Sequence, residues 1–287
     1  MLELPSRKPL TLIPEPQAPD LPGTVVVRET IPELVEEMGR DLLAHSLNCV
    51  RTFGDFHIAL SAGHTPVPFY LHLMIDPICR AIPWRKTHLW IVNEEYDNSR
   101  PSNQSNWNTI AGFFAEHAGI PDRQQHPIML QSPRPHQDYE LELRQTLEWR
   151  EKGHDRLDFV LLGLDTDGSI AGLTPFSPLL SENNSLVACT NGSHQPKIST
   201  HHHQQHIPHS NQYITMTLPL LNASRFIAIM VTGKHKQPII KKLIHRSQPD
   251  KHNNQSHGNL THPVQRINPH AGTLRWYLDK NACSDDS

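Results

Sequence analysis

The chain has 287 residues, 37% of them hydrophobic, enough for one large α/β domain or two small ones around a buried core. A formal charge of −3 excludes a nucleic-acid surface built on bulk positive charge, and no apolar run approaches the roughly 20 residues of a membrane helix. Four cysteines, Cys49, Cys79, Cys189 and Cys283, lie far apart with no C-x-x-C pair, so reduced thiols in a cytoplasmic protein are expected.

In chain order, residues 1–23 are Pro-rich, lack an apolar signal core and read as a loosely packed arm. "TVVVRET" (24–30) is a short β-branched strand. Residues 31–53 carry apolar side chains at 34, 35, 38, 42, 43 and 47, which is helical spacing, with Pro32 tolerated in the first turn. "FHIALSAG" (56–63) reads as a second strand and "TPVPFYLHLMI" (65–75) as a helix. "THLWIVNEE" (87–95) follows as a third strand, and 105–119 as a helix with Ser105 as cap. Residues 136–153 read as a helix with Gly153 its stop. "LDFVLLGL" (157–164) is apolar throughout its centre, the pattern of a strand buried on both faces. "YITMTLPLLN" (213–222) and "RFIAIMVTG" (225–233) are further strands, and 234–247 a helix.

This alternation predicts an α/β fold, a three-layer α/β/α sandwich on a mostly parallel, Rossmann-like sheet, as a single domain over 24–282 with a short tail, 283–287. Two polar insertions interrupt it, about 191–212 with six His and 245–262 with four. "HHHQQH" (201–206) offers imidazoles to Zn²⁺, Ni²⁺ or Cu²⁺. The expectation there is a flexible insertion that takes metal adventitiously, with no dedicated metal site and no cofactor.

In such sheets ligands bind at the carboxyl ends of strands, which singles out four turns. "SAGHTP" (61–66) joins Gly63 to the hydroxyls of Ser61 and Thr65 at a helix start, a setting suited to an anion such as phosphate. "NEE" (93–95) places two acids, Glu94 and Glu95, at a strand end, either solvated or dividing acid and base roles. "DTDGS" (165–169) offers Asp165, Asp167, Gly168 and Ser169. The serine lacks the spacing of a nucleophile elbow, and the acids lack the full spacing of a calcium loop. "TGKHK" (232–236) puts Lys234 and Lys236 after a strand, as point charges for phosphate or as a solvated helix start.

Together these turns resemble the 6-phosphogluconolactonases, relatives of the glucosamine-6-phosphate isomerases, from about Thr24 to Ala282. The family's S-G-G-S-T-P turn stands here as "SAGHTP", and its V-D-E-R and D-S-N turns as "VNEEY" and "QSNW". Its L-L-G-M-G-x-D-G-H-T-A-S-L-F-P-G-S-P loop appears as "LLGLDTDGSIAGLTPFSP". Its I-T-L-T strand and V-T-G-x-x-K turn appear as "ITMT" and "VTGKHK", and "HPVQRINPHAGTLRWYLDKNA" resembles its closing segment. The resemblance implies a sugar-phosphate ligand bound by Ser61, Gly63, Thr65, Asn106, Gly168 and Lys236, with no nucleic acid or membrane as partner. It places the chemistry at Ser169, Asp167, Glu94, Glu95 and His64.

The departures fall on the chemistry. The His of D-G-H, which the family uses as base, is Ser169. The Asp-Glu-Arg becomes Asn93-Glu94-Glu95 or, shifted by one, Glu94-Glu95-Tyr96, and the arginine is lost either way. His64 replaces a serine, Tyr213 an arginine, and Thr174 and Phe176 the Phe and Gly of L-F-P-G. A neutral hydroxyl cannot hold a proton near pH 7 as imidazole does. The expectation is a 6-phosphogluconolactonase-like protein with impaired hydrolysis; the alternative is a non-catalytic paralogue that binds a sugar phosphate or a protein.

Overall fold

A computed structural model of the chain describes residues 17–96, 105–148, 150–190, 212–245 and 262–283. Most of both His-rich insertions, and with them the metal reading of "HHHQQH", lie outside the described residues. So do residues 1–16 of the arm and 284–287 of the tail.

The strands are β1 (Thr24–Arg28), β2 (Phe56–Leu60), β3 (Thr87–Ile91), β4 (Asn93–Glu95), β5 (Gln125–His126), β6 (Phe159–Gly163), β7 (Val187–Cys189), β8 (Tyr213–Met216), β9 (Phe226–Val231) and β10 (Thr273–Asp279). The helices are α1 (Ile31–Phe53), α2 (Val67–Ile75), α3 (Asn106–Ile110), α4 (Glu116–Ala118), α5 (Pro135–Leu147), α6 (Leu218–Ala223), α7 (Gln237–His245) and α8 (Lys280–Cys283). Seven strands form one sheet in the order β1-β10-β9-β6-β2-β3-β5, and every pairing in it is parallel. A small antiparallel sheet, β4-β8-β7, stands beside it. The mostly parallel α/β architecture read from the sequence is therefore the observed one.

Local chemistry accounts for the elements. In α1 the Thr30 hydroxyl accepts the Glu33 N–H while the Glu33 carboxylate accepts the Thr30 N–H, a reciprocal cap. Gly54, at φ 91, ends the helix. Its inner stripe is Leu34, Val35, Met38, Leu42, Ser46 and Cys49; Leu47, read as part of that face, is exposed. The central strands β2, β6 and β9 are apolar and buried, as covering by helices on both faces requires. All four cysteines are free thiols. Among the described residues no helix is long and apolar enough to cross a membrane.

Three expectations change. The run 87–95 is two strands in different sheets, because Val92 donates its N–H to Leu60 of the large sheet and accepts the N–H of Met216 from the small one. The run 213–222 is a strand followed by α6, with Pro219 in the helix's first turn. Helix α5 ends at Leu147 rather than at Gly153, and beyond it the Arg150 guanidinium is buried against Asp55 and Asp158. The end of the Pro-rich arm is also packed: Leu21 is buried, and the Pro22 carbonyl accepts the Trp276 indole N–H at 2.8 Å. Strands β5, β7 and β10 are additions to the sequence reading.

Candidate active site

Parallel strands bring their carboxyl ends to one edge of the sheet. The four turns singled out in the sequence leave that edge from β2, β3, β6 and β9. From β2 the chain winds outward to β3 and β5, then returns to place β6 on the other side of β2. The ends of β2 and β6 therefore flank the topological switch point, where doubly wound sheets open a crevice.

After β2, the Ser61 N–H donates to the Leu161 carbonyl of β6 at 3.2 Å, and the Tyr70 hydroxyl donates to the Ser61 carbonyl. Ser61 is buried, and its Oγ has no protein partner. Gly63 sits at φ +106 with open space where a Cβ would stand. His64 is exposed and Thr65 half-buried on the approach to α2.

After β3, Glu94 is 2% exposed. Its Oε1 accepts the N–H of Asn106 at 2.8 Å and of Glu95 at 3.2 Å, and its Oε2 accepts the N–H of Trp107 at 2.9 Å. The Asn106 side chain donates to the Asn93 carbonyl at 3.0 Å. Both carboxylate oxygens of Glu94 thus serve the otherwise unpaired N–H groups at the start of α3. The spacing of two acids gave no sign of this use, because the partners stand 12 and 13 residues away. Glu95 is half-buried beside it.

After β6, the chain folds tightly on itself. Gly168 donates to the Asp165 carbonyl and Asp165 to the Ser169 carbonyl, both at 3.0 Å, and Asp167 Oδ1 accepts the Ser169 N–H at 2.9 Å. Ile170 and Leu173 then pair across Ala171 (φ 55) and Gly172 (φ 74), the two positive values of a type I′ hairpin turn. The Thr215 hydroxyl of β8 donates to the Ala171 carbonyl at 2.5 Å. A Cβ on Gly172 would lie 3.2 Å from Asn93 Nδ2 and from the Tyr213 ring, so this loop rests on the small sheet. Ser169 is 4% exposed, and its Oγ has no hydrogen-bond partner. Phe176 stands at φ 67, fully in solvent.

After β9, Lys236 is buried and its ammonium donates to the Leu164 carbonyl at 2.5 Å, tying the fourth turn to the third. One neighbour came from outside the four turns. His262, which the composition assigned to a polar insertion, packs on Gly168, with its Nδ1 2.8 Å from the Asp167 carbonyl oxygen. The only sequence sign was its place at the head of the closing segment "HPVQRINPHAG".

Among the described residues, one trio of potential metal ligands converges: Asp55, His57 and His88, with ligand atoms within 4.8 Å of one another. It lies at the amino ends of β2 and β3, away from the four turns. The Trp90 indole N–H donates to His57 Nδ1 at 3.1 Å, so the neutral ring carries its hydrogen on Nε2, which meets Asp55 at 3.0 Å. Arg150 occupies the other Asp55 oxygen. This trio is already satisfied by protons and an arginine, as a structural network.

Residues 29–276 match the family described as glucosamine-6-phosphate isomerases/6-phosphogluconolactonase. A 6-phosphogluconolactonase of Synechocystis is 30% identical over 254 residues, covering 84% of this chain and 92% of that protein. The human GDH/6PGL endoplasmic bifunctional protein is 29% identical over 259 residues, which is 87% of this chain and 29% of the human one. The chain thus spans under a third of the length of that relative. In fold, the chain is similar to 6-phosphogluconolactonases of Trypanosoma cruzi (TM-score 0.71, 19% identity, 92% of this chain and 97% of that one) and Thermotoga maritima (TM-score 0.67, 20% identity, 89% and 99%). With the shared turns gathered at one crevice and the match running through nearly the whole sheet, the chain belongs to the glucosamine-6-phosphate isomerase/6-phosphogluconolactonase family.

Proposed function

We propose that the chain hydrolyses 6-phosphogluconolactone to 6-phosphogluconate, more slowly than relatives that keep a His in the third turn. The observation that carries this reading is the gathering of the family's four turns at the switch point, with Lys236 bound to the β6 loop. Ser61, Gly63 and Thr65 suit the phosphate and Lys236 adds positive charge to that crevice, while the start of α2 adds little, its Val67 N–H being bonded to the His64 carbonyl and Pro68 having none. Asn106 and Gly168 shape its wall. This reading assigns the chemistry to Asp167, Ser169, Glu95 and His64, and Glu94 positions the turn it caps. The relatives, 6-phosphogluconolactonases, supply the substrate class. Free thiols at all four cysteines support a reducing compartment such as the cytoplasm.

The reduced rate follows from position 169. General-base help is worth about 10²–10⁴-fold, and a hydroxyl does not provide it at neutral pH. A second reading, a retired site that binds a sugar phosphate or a protein without turnover, is favoured by the buried Ser169 Oγ, to which no base is hydrogen-bonded. The deciding measurement is lactone hydrolysis by folded protein against buffer and against an equal amount of a competent lactonase. A rate above buffer and below the competent enzyme is expected, and Ser169→His should raise kcat at least about tenfold at pH 7 with little change in KM. A rate equal to buffer for both proteins would leave binding without turnover.

A further inference from the structure

We infer that the chain carries a second ligand site, away from the crevice, which takes a small organic carboxylate with an apolar body. The site is a cavity of about 580 Å³, within the roughly 300–1,000 Å³ of ordinary ligand pockets. Its walls come from the segment 180–183, helix α6 and the closing segment, with Pro22 at one side. Helix α6 leads into β9, His270 lies shortly before β10, and Pro22 shortly before β1. The cavity therefore stands toward the amino ends of three strands, whereas the four turns leave the carboxyl ends. The inference does not depend on lactone turnover.

One side chain fixes the wall. Asn222 is buried; its Nδ2 donates to the Arg266 carbonyl at 2.9 Å, and its Oδ1 accepts the Asn268 N–H at 2.8 Å. Its own carbonyl accepts the His270 N–H at 2.9 Å. The closing segment is thus pinned to α6 at three points over residues 266–270. A pocket walled in this way is formed before a ligand arrives, which lowers the ordering cost of binding.

The lining sets the class of ligand. Leu180, Leu218, Pro219 and Ile267 give an apolar floor. Arg266 supplies the charge. Its Nη1 reaches the Leu180 carbonyl only at 3.4 Å, and its Nε has no hydrogen-bond partner among the described residues. A guanidinium carries five N–H donors in a planar fork that matches a carboxylate, so most of this donor capacity is unspent. Nε is sealed from solvent, so the contact falls to the terminal nitrogens. Glu182, at the same cavity, limits the charge of the ligand. Its Oε1 accepts the N–H groups of Ser185, Asn184 and Asn183 at 3.0, 2.7 and 2.9 Å, bonds that hold the carboxyl below its usual range. It stays ionised, and a doubly charged phosphate is repelled more than a singly charged carboxylate.

The test follows the methyl resonances of Leu180, Leu218 and Ile267 in the full chain as sodium benzoate is added, with benzyl alcohol as its uncharged counterpart. Benzoate should shift these methyls with a Kd of about 1 mM, and benzyl alcohol should bind at least about tenfold more weakly. Arg266→Gln should weaken benzoate at least about tenfold and leave the alcohol unchanged. Arg266→Lys keeps the charge and loses the fork; it should fall between the two and serves if the Gln variant folds poorly. Methyls unmoved by benzoate up to about 20 mM overturn the inference. So does equal binding of the alcohol, or a folded Gln variant that keeps the wild-type Kd. Tighter binding of phenyl phosphate than of benzoate overturns the choice of carboxylate.

Discussion

Phe176 shows what a family loop costs when one residue changes. Its ring is 87% exposed on a backbone at φ 67, where a side chain beyond glycine costs roughly 1–2 kcal/mol. Phe176→Gly removes that strain, and the looser unfolded chain of glycine takes back part of the gain. The expected net is about 0.5–1 kcal/mol, or a Tm higher by about 1–4 °C in a calorimetric scan. An unchanged or lower Tm would mean that the ring holds something this geometry does not show. At this scale the sequence was informative where a motif fixed both position and neighbour. Gly63 and Gly168 both take the positive φ that their turns demand, and Lys236 reaches the loop beside its strand. It was silent on partners set by folding: the α3 N–H groups that Glu94 serves and, 95 residues from Asp167, the imidazole of His262.

Among the elements, the amino ends of β2, β3 and β5 hold a stack of rings with consequences for acid stability. His57 and His88 stack with centroids 4.5 Å apart, and Trp90 and His126 at 3.7 Å. His88 Nδ1 lies 3.0 Å from His126 Nε2, and His126 Nδ1 lies 2.6 Å from Glu142. Burial, then the neighbouring His57 and His126, push the His88 imidazole down to about 3. In the unfolded chain the same ring takes a proton near pH 6.5. Between those values acid protonates the unfolded state and not the folded one, so stability falls as pH drops from about 6.5 toward about 3. His88→Gln should therefore lose less stability than wild type between pH 7 and 5, measured by urea unfolding at both pH values. Equal losses would shift the acid sensitivity to His57 or His45, both also lowered by burial. Most elements were legible as types because apolar period and punctuation agreed, while the caps of α1 at Thr30 and Gly54 came from the structure. The break at Val92 was not, because an apolar residue that changes sheets looks in sequence like one that continues a strand.

At the scale of the molecule, the switch point joins the two wings of the sheet, so a ligand held there by turns from both should stabilise the fold as a whole. A ligand that binds only the folded state adds about 2.7 kcal/mol at 100 times its Kd. Saturating 6-phosphogluconate should raise the Tm by roughly 5–10 °C, whether or not the lactone is turned over. No rise at any concentration would set aside the lactonase reading and the sugar-phosphate form of the binding-only one, leaving a protein partner. The architecture was legible from alternation alone, but the strand order was not: nothing local says that the first strand pairs with the last. Thr24 lies against Arg275 and Arg28 against Asp279. That pairing has a consequence in time. Synthesis at about 5–20 residues per second separates the two partners by roughly 13–50 s. Through that interval β1 leaves the ribosome with no strand to receive it, so the fold closes on its amino-terminal edge only once β10 has been made.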